Sequence, residues 1–381
     1  MSDLSATLSL AVELVRRPSL TPADCGCQDL IGEKLRATGF KVLSLADSGT
    51  VNLLALHGSG SPFLLFLGHT DVVPSGDPGA WKVPPFEGRI VEDAQGAWLC
   101  GRGSADMKGA AAAMTCALSR FAAAYPAHSG TAGVLLTSNE EGDSKGGTPF
   151  VASWLQQHSL IPDYCLVGEP SCKKIFVDQI KNGRRGSLQG RVVVKGVQGH
   201  VAYPENCDNA AHRAAALITR LCAQHWDEGS RFFPPTSFQV TNISCGTGAE
   251  NVVPGSCGFW CNWRYGDLSS KESIMEKTAA LLQELGTEAE IRWIVSGLPF
   301  LTAKGPLLEA LAVAVEQFTK VKPVLSTSGG TSDGRFIAPL GAQTLEFGPV
   351  SEGIHKANER VSVNSLNQLE QIYFRVLERL L

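Results

Sequence analysis

Long apolar runs, an excess of positive charge, paired metal-finger cysteines and a leader-like N-terminus are all missing from this 381-residue chain. Its longest apolar stretches, such as 63–67 and 110–114, fall well short of the roughly 20 residues that span a bilayer, so no membrane partner is expected. Lys plus Arg number 33 against 37 for Asp plus Glu, a formal net charge of −4, which offers nucleic acid and anionic surfaces no general attraction. The 11 cysteines include a Cys-x-Cys at Cys25/Cys27 and a Cys-x3-Cys at Cys257/Cys261 but no paired Cys-x2-Cys framework. That usage predicts buried free thiols in a reducing compartment. The opening Met-Ser-Asp-Leu-Ser has no basic region, and Leu8, Ala11, Val12 and Val15 recur at helical spacing, which predicts a cytoplasmic protein.

What remains is a globular composition, 44% hydrophobic and 18% charged, on a chain long enough for two or three domains. Four short runs rich in Leu, Val, Ile and Phe stop abruptly at polar residues, as buried parallel strands do at their carboxyl ends. They are 62–68 before His69, 133–137 before Asn139-Glu140-Glu141, 164–167 before Gly168-Glu169, and 343–347 running on to Pro349 and His355. Helical patterns at 108–124 and 148–158 separate them, which predicts an α/β fold with a mixed, mostly parallel sheet flanked by helices. Between about 186 and 296 the pattern becomes strand 188–196, helix 209–225, strands 237–244 and 258–264, helix 270–285 and strand 290–294. This βαββαβ order is that of a ferredoxin-like module, here an insertion, since the α/β pattern resumes with helix 306–319. The expected division is 1–182 and 298–381 for the main domain and 183–297 for the inserted one.

Several polar groups at these strand ends could carry chemistry. In Gly68-His69-Thr70-Asp71 an imidazole and a carboxylate two residues apart share a face of an extended segment, so Asp71 could orient His69 or itself ligate; a capped loop is the plainer reading. Gly101-Arg102-Gly103-Ser104-Ala105-Asp106-Met107-Lys108-Gly109 lacks the spacing of a phosphate loop, leaving Asp106 either projecting into a site or capping the following helix. Glu140 and Glu141 would point to opposite faces if extended geometry continued. Neighbouring carboxylates at the mouth of a core repel unless cations compensate, which suggests one on a metal and one as general base, unless the pair is simply exposed. Glu169 and His355 repeat the theme. Together these groups would converge on the crevice at the carboxyl ends of the strands, a donor set suited to zinc or a related divalent ion and to metal-assisted hydrolysis.

The segments just quoted, together with Arg184-Arg185-Gly186-Ser187-Leu188, Gly199-His200-Val201-Ala202-Tyr203-Pro204, Trp226-Asp227-Glu228-Gly229, 232–238 and Gly329-Gly330-Thr331-Ser332-Asp333-Gly334-Arg335-Phe336, resemble the dinuclear zinc aminoacylase and carboxypeptidase family. The resemblance covers essentially the whole chain. It implies a zinc exopeptidase-like main domain, an inserted domain that forms a homodimer, and two Zn2+ ions, with Co2+ able to substitute. His69 and Glu169 would hold one ion, Glu141 and His355 the other, and Asp106 would bridge them. Asp71 would orient His69, Glu140 would be the general base, and His200 would support the oxyanion from the neighbouring protomer. The implied reaction is hydrolysis of an acyl amino acid, N-succinyl-LL-2,6-diaminopimelate, with Arg184, Ser187, Tyr203, Asn251, Arg264, Gly330 and Thr331 on the substrate. Removal of another acyl group, or a non-catalytic metal-binding role, are the alternatives. Ser351 after Gly-Pro-Val, where that branch of the family usually carries Asn, and Asn139, where Asp is common, depart from the pattern.

Overall fold

The computed structural model describes residues 4–319, 322–330 and 332–381. Thr331 therefore lies outside the described residues. The chain divides into two compact units, Met1–Gly183 with Leu301–Ser326 and Ser332–Leu381, and Arg184–Phe300 with Thr327–Thr331.

The first unit is built on an eight-stranded mixed sheet in the order Lys41–Asp47, Thr50–Ser59, Gly130–Thr137, Phe63–His69, Tyr164–Val167, Gln343–Glu346, Gln179–Lys181, Val324–Ser326. Gly130–Thr137, Phe63–His69, Tyr164–Val167 and Gln343–Glu346 are adjacent and mutually parallel, so their carboxyl ends lie along one edge. Phe63–His69 is buried throughout. Its Leu64 and Phe66 join a core with the helices Ala6–Val15, Gly109–Ala124 and Val363–Leu380, while Phe63, Leu65 and Leu67 join a second core with Thr148–Gln157. Cover on both faces explains why this strand reads as a continuous apolar run rather than an alternating one. Gly109–Ala124 is buried throughout its first seven residues, and its run of alanines there provides the small surface needed for close packing between layers. Ser5 and Ser362 cap their helices, each hydroxyl accepting a main-chain N–H of the first turn.

The second unit has a four-stranded antiparallel sheet, Ser237–Cys245, Ser256–Tyr265, Gly186–Lys195, Ala289–Gly297 in spatial order, with helices Ala210–Ala223 and Lys271–Glu284. Leu188, Val192, Phe259 and Trp263 form its core with Ala214, Leu217, Ile274 and Leu281. The segment from Thr327, read from sequence within the main domain, goes with this unit because Thr327 donates to the Phe232 carbonyl and Arg184 to the Ser328 carbonyl.

All 11 cysteines are free, but only Cys27, Cys165, Cys172, Cys257 and Cys261 are buried; Cys25, Cys222 and Cys245 are exposed, contrary to a uniformly buried set. Among the described residues no helix is long and apolar enough to cross a membrane.

The loop after Gln343–Glu346 passes so close to the neighbouring strand end that a Cβ on Gly348 would lie 2.4 Å from the Gly168 carbonyl oxygen and 2.5 Å from that of Glu169. Backbone cannot yield as a side-chain tip can. Gly348→Ala should cost about 1–3 kcal/mol in urea unfolding, the range typical of overpacking; an unchanged midpoint would refute the close approach.

Candidate metal centre

His69, at the end of its strand, is 1% exposed. Its Nδ1 donates to the Asp71 main-chain carbonyl at 2.9 Å. Nε2 is thereby left as the lone-pair nitrogen. The Asp71 carboxylate, 3.6 Å from Nδ1, is engaged elsewhere, accepting the main-chain N–H groups of Glu140 and Glu141 at 3.2 and 3.1 Å. Asp71 thus fixes the imidazole through its backbone and the glutamate pair through its side chain. That pair does not splay to opposite faces, because the strand ends at Thr137 and a turn follows.

Asp106 is not a helix cap. The helix Gly109–Ala124 has no side-chain cap, and Asp106 itself lies in non-helical backbone with φ −120° and ψ 94°. Its Oδ1 lies 3.3 Å from His69 Nε2 and its Oδ2 lies 3.2 Å from His355 Nε2. Glu169 Oε1 is 3.6 Å from His69 Nε2, and Glu141 Oε1 is 3.0 Å from His355 Nε2. Glu140 also belongs to the cluster, since ligand atoms of His69, Glu140 and Glu169 lie within 4.8 Å of one another, as do those of His69, Asp106 and Glu141.

The donor set fits divalent ions. Ligand atoms about 2.0–2.2 Å from a tetrahedral zinc stand roughly 3.3–3.6 Å apart, close to the separations around His69. His69 Nε2 and Asp106 Oδ1 are buried without a hydrogen-bond partner, a costly state for polar atoms unless something else engages them. The electrostatics agree. Burial and the Asp333 carboxylate, helped by Glu141 and opposed by His69, push Glu140 up to about 8. Burial, Asp106 and Glu140 drive Glu169 well above the usual carboxylate range. Burial would lower His69, but Asp106, Glu169, Asp71 and Glu140 hold it well above the ordinary imidazole value. Asp106 and Glu141 raise His355 to about 10. Protons are thus drawn to the imidazoles and to the crowded carboxylates, where cations would serve the same purpose.

Two features escaped the reading of the sequence. Glu359, fully buried, accepts the main-chain N–H groups of Gly103, Ala105 and Asp106 at 3.0, 3.0 and 3.1 Å and the Arg102 guanidinium at 2.7 Å. It holds the loop that presents Asp106 from more than 250 positions away. Its only sequence signal is an acidic residue four positions after His355. Met107, the neighbour of Asp106, fills space left by two glycines that immediately precede ligand candidates: a Cβ on Gly68 or Gly168 would lie 2.3 or 2.7 Å from its Cε. Its sulfur also accepts the His69 main-chain N–H at 3.4 Å. As for Asn139, its amide donates to Thr50 Oγ1, Asp143 and the Lys145 carbonyl, acceptors that an Asp could not serve. Ser351 donates its hydroxyl to the Cys172 carbonyl at 3.0 Å.

The remaining site candidates lie in the second unit. Ser187 and Arg264 are register partners on adjacent strands, and the Ser187 hydroxyl accepts from Asn262 at 3.1 Å. His200, exposed, pairs with Val252 across a two-stranded ladder, its ring 5.6 Å from that of Tyr203. The Asn251 carbonyl accepts the Val201 N–H at 3.1 Å, and Gly330 is exposed. Asp227, in one of the quoted segments, accepts from Gly229, Thr236 and Ser269 and so braces the loop around it.

This fold and this cluster are those of a metal-dependent hydrolase family: residues 65–379 match peptidase family M20/M25/M40, and the chain belongs to it. More particularly, the succinyl-diaminopimelate desuccinylase of Halorhodospira halophila is 50% identical over 378 residues, 99% of each chain. That of Hahella chejuensis is 47% identical over 382 residues, 100% of this chain and 99% of its own. Among solved structures, the M20 family metallo-carboxypeptidase Sso-CP2 of Sulfolobus solfataricus superposes with a TM-score of 0.79 at 16% identity, covering 99% of both chains. The YxeP protein of Bacillus subtilis, described as a dinuclear metal binding peptidase, gives 0.69 at 14% identity over 98% of this chain and 97% of its own.

An amide in place of the Glu359 carboxylate would set an NH2 donor against either the Gly103 N–H and the Arg102 guanidinium or the Ala105 and Asp106 N–H groups. Glu359→Gln should weaken zinc binding about 10- to 100-fold by calorimetric titration, the usual cost of losing an outer-sphere support. Unaltered affinity in a folded variant would show that the Asp106 loop holds itself.

Proposed function

We propose that this chain hydrolyses N-succinyl-LL-2,6-diaminopimelate to succinate and LL-2,6-diaminopimelate. The carrying observation is 50% identity to a succinyl-diaminopimelate desuccinylase across 99% of both chains. The gathering of His69, Asp106, Glu140, Glu141, Glu169 and His355 at the strand ends supports a hydrolytic centre.

In this reading His69 and Glu169 would hold one divalent ion and Glu141 and His355 a second, with Asp106, whose two oxygens face His69 and His355, serving both. Zinc suits the mixture of imidazole and carboxylate, and Co2+ would substitute. When bound, the two ions supply Lewis-acid polarisation of the amide carbonyl and acidify the attacking water. Glu141 hydrogen-bonds to His355, whereas among the described residues the Glu140 side chain has no such bond to an imidazole and is pushed up to about 8, toward proton uptake, which favours Glu140 as the base. Glu140 takes the proton of the water and returns it to the leaving amine. Asp71 keeps both His69 and the glutamate pair in register throughout.

The second unit is proposed as a dimerisation domain, with His200 supporting the oxyanion across the interface of a homodimer. Arg184, Ser187, Tyr203, Asn251, Arg264, Gly330 and Thr331 are proposed to bind the carboxylates and amine of the substrate, where fixed cationic and hydroxyl groups are needed. Cytoplasmic placement follows from the substrate, a biosynthetic intermediate.

Protein stripped with a chelator should regain succinate release with one to two equivalents of zinc. Faster cleavage of N-acetylornithine than of the succinyl compound would move the specificity, and silence on all acyl amino acids at full loading would sink the enzyme reading. Glu140→Ala should lower kcat by roughly 100- to 10,000-fold while keeping its metal; loss of metal instead would exchange the roles of Glu140 and Glu141. Mixing inactive Glu140→Ala and His200→Ala proteins should restore partial turnover if His200 acts across a dimer, and no recovery would place it in its own protomer's site.

A further inference from the structure

We infer that Cys245 and Cys257 are a reversible redox pair, closing into a cross-strand disulfide that staples the base of the loop between them when a low-molecular-weight disulfide such as oxidised glutathione is in excess. The strands Ser237–Cys245 and Ser256–Tyr265 are antiparallel, and Cys245 and Cys257 are direct register partners. Such partners have Cα atoms about 4.5–5.5 Å apart, inside the roughly 4.4–6.8 Å over which a disulfide closes. The two thiols are unequal. Cys245 is exposed, its Sγ donating weakly to the Ser256 carbonyl at 3.5 Å. Cys257 is buried, and burial together with a hydrogen bond donated to Cys245 pushes its thiol up to about 12. An accessible thiol placed directly before a protected one is the arrangement of an attacking and a resolving cysteine. Cys261, two pleat repeats further along the same strand, is buried too, but its thiol donates to the Gly190 carbonyl of the neighbouring strand at 3.4 Å.

The chemistry balances without any group from the proposed active site. The Cys245 thiolate attacks one sulfur of oxidised glutathione, and the first glutathione leaves as a thiolate that takes up the proton Cys245 gave away. Cys257 then attacks the Cys245 sulfur, its proton passing to the second departing glutathione. Two protein thiols lose two electrons, and one glutathione disulfide becomes two glutathione thiols.

The loop enclosed by the pair is not neutral territory. It contains Gly246 and Gly248, both in left-handed backbone at φ 84° and 85° with open space around them. It then supplies the Asn251 carbonyl that receives the Val201 N–H, and Val252, the partner of His200. A staple at its base removes conformational freedom from the segment that supports His200. Only this last consequence rests on the proposed roles of His200 and Asn251; the thiol chemistry does not.

The test equilibrates full-length, metal-loaded protein with graded mixtures of oxidised and reduced glutathione, traps free thiols by alkylation, and maps peptides by mass spectrometry. The expected result is a Cys245–Cys257 cross-link that grows with the oxidised fraction and disappears with dithiothreitol. Cys257→Ser should instead carry a lasting glutathione on Cys245, and Cys245→Ser, a change at an exposed position, should leave Cys257 unmodified under all mixtures. Amide hydrogen exchange across 246–256 should slow in the oxidised wild type and not in Cys245→Ser. Wild-type protein with Cys245 stably glutathionylated and Cys257 still free, or Cys257 linked to any other cysteine, would overturn the inference. Cross-linking and slowed exchange with unchanged turnover would uphold the pair and refute the assigned roles of His200 and Asn251.

Discussion

Mutual repulsion of carboxylates is the constraint around which the first unit is arranged. Asp71, Asp106, Glu140, Glu141 and Glu169 crowd with two imidazoles at the edge of an apolar sheet, where water screens them little except on the open side at the half-exposed His355. No single strand could hold such a set, because each like charge would drive its bearer away. The scaffold answers with main-chain amides. Asp71 grips the amides of the glutamate pair and Glu359 those of the Asp106 loop, so negative side chains serve as anchors for the backbone that carries other negative side chains. The anchors are themselves neutralised or solvated by donors, leaving the inner carboxylates and imidazoles turned toward one another.

Strand topology supplies the rest. Four parallel neighbours end together; His69 is the last residue of one, Glu140, Glu141, Glu169 and His355 lie in the loops beyond the other three, and Asp106 comes from the separate loop ahead of Gly109–Ala124. This is why the site was so readable in the sequence: an abrupt change from apolar to acidic at His69, Glu140 and Glu169 marks the place where a buried strand emerges. The inserted βαββαβ unit was readable for a similar reason, since its two central strands alternate between a core face and an open face. Long quoted segments carried the family likeness, a different kind of information from periodicity.

What could not be read was of another kind. Thr50–Ser59 extends the sheet antiparallel to its core and Lys41–Asp47 pairs antiparallel to Thr50–Ser59 at the edge, where it is too exposed to show an apolar run. Glu359 works through backbone amides, whose partners leave no trace in side-chain type. The helix-cap reading of Asp106 failed because the backbone turns sharply there before the helix begins, and the splayed reading of Glu140 and Glu141 failed because extended geometry stopped three residues earlier. At the Asp106 loop and the glutamate pair the decisive interaction was between main chain and a distant carboxylate. Local pattern reports what a residue prefers, and these positions answer to something remote.

Met107 ties these strands together in a further way. Its terminal methyl occupies the volume that side chains at positions 68 and 168 would otherwise claim, and its sulfur takes the His69 amide proton. Three segments far apart in the chain thus share one pocket of space beside two ligand candidates. A methyl group gained at position 68 would push the Met107 tip aside, and one at position 168 the tips of both Met107 and Met114, so the room beside these two ligand candidates is set by how far flexible thioether ends can move.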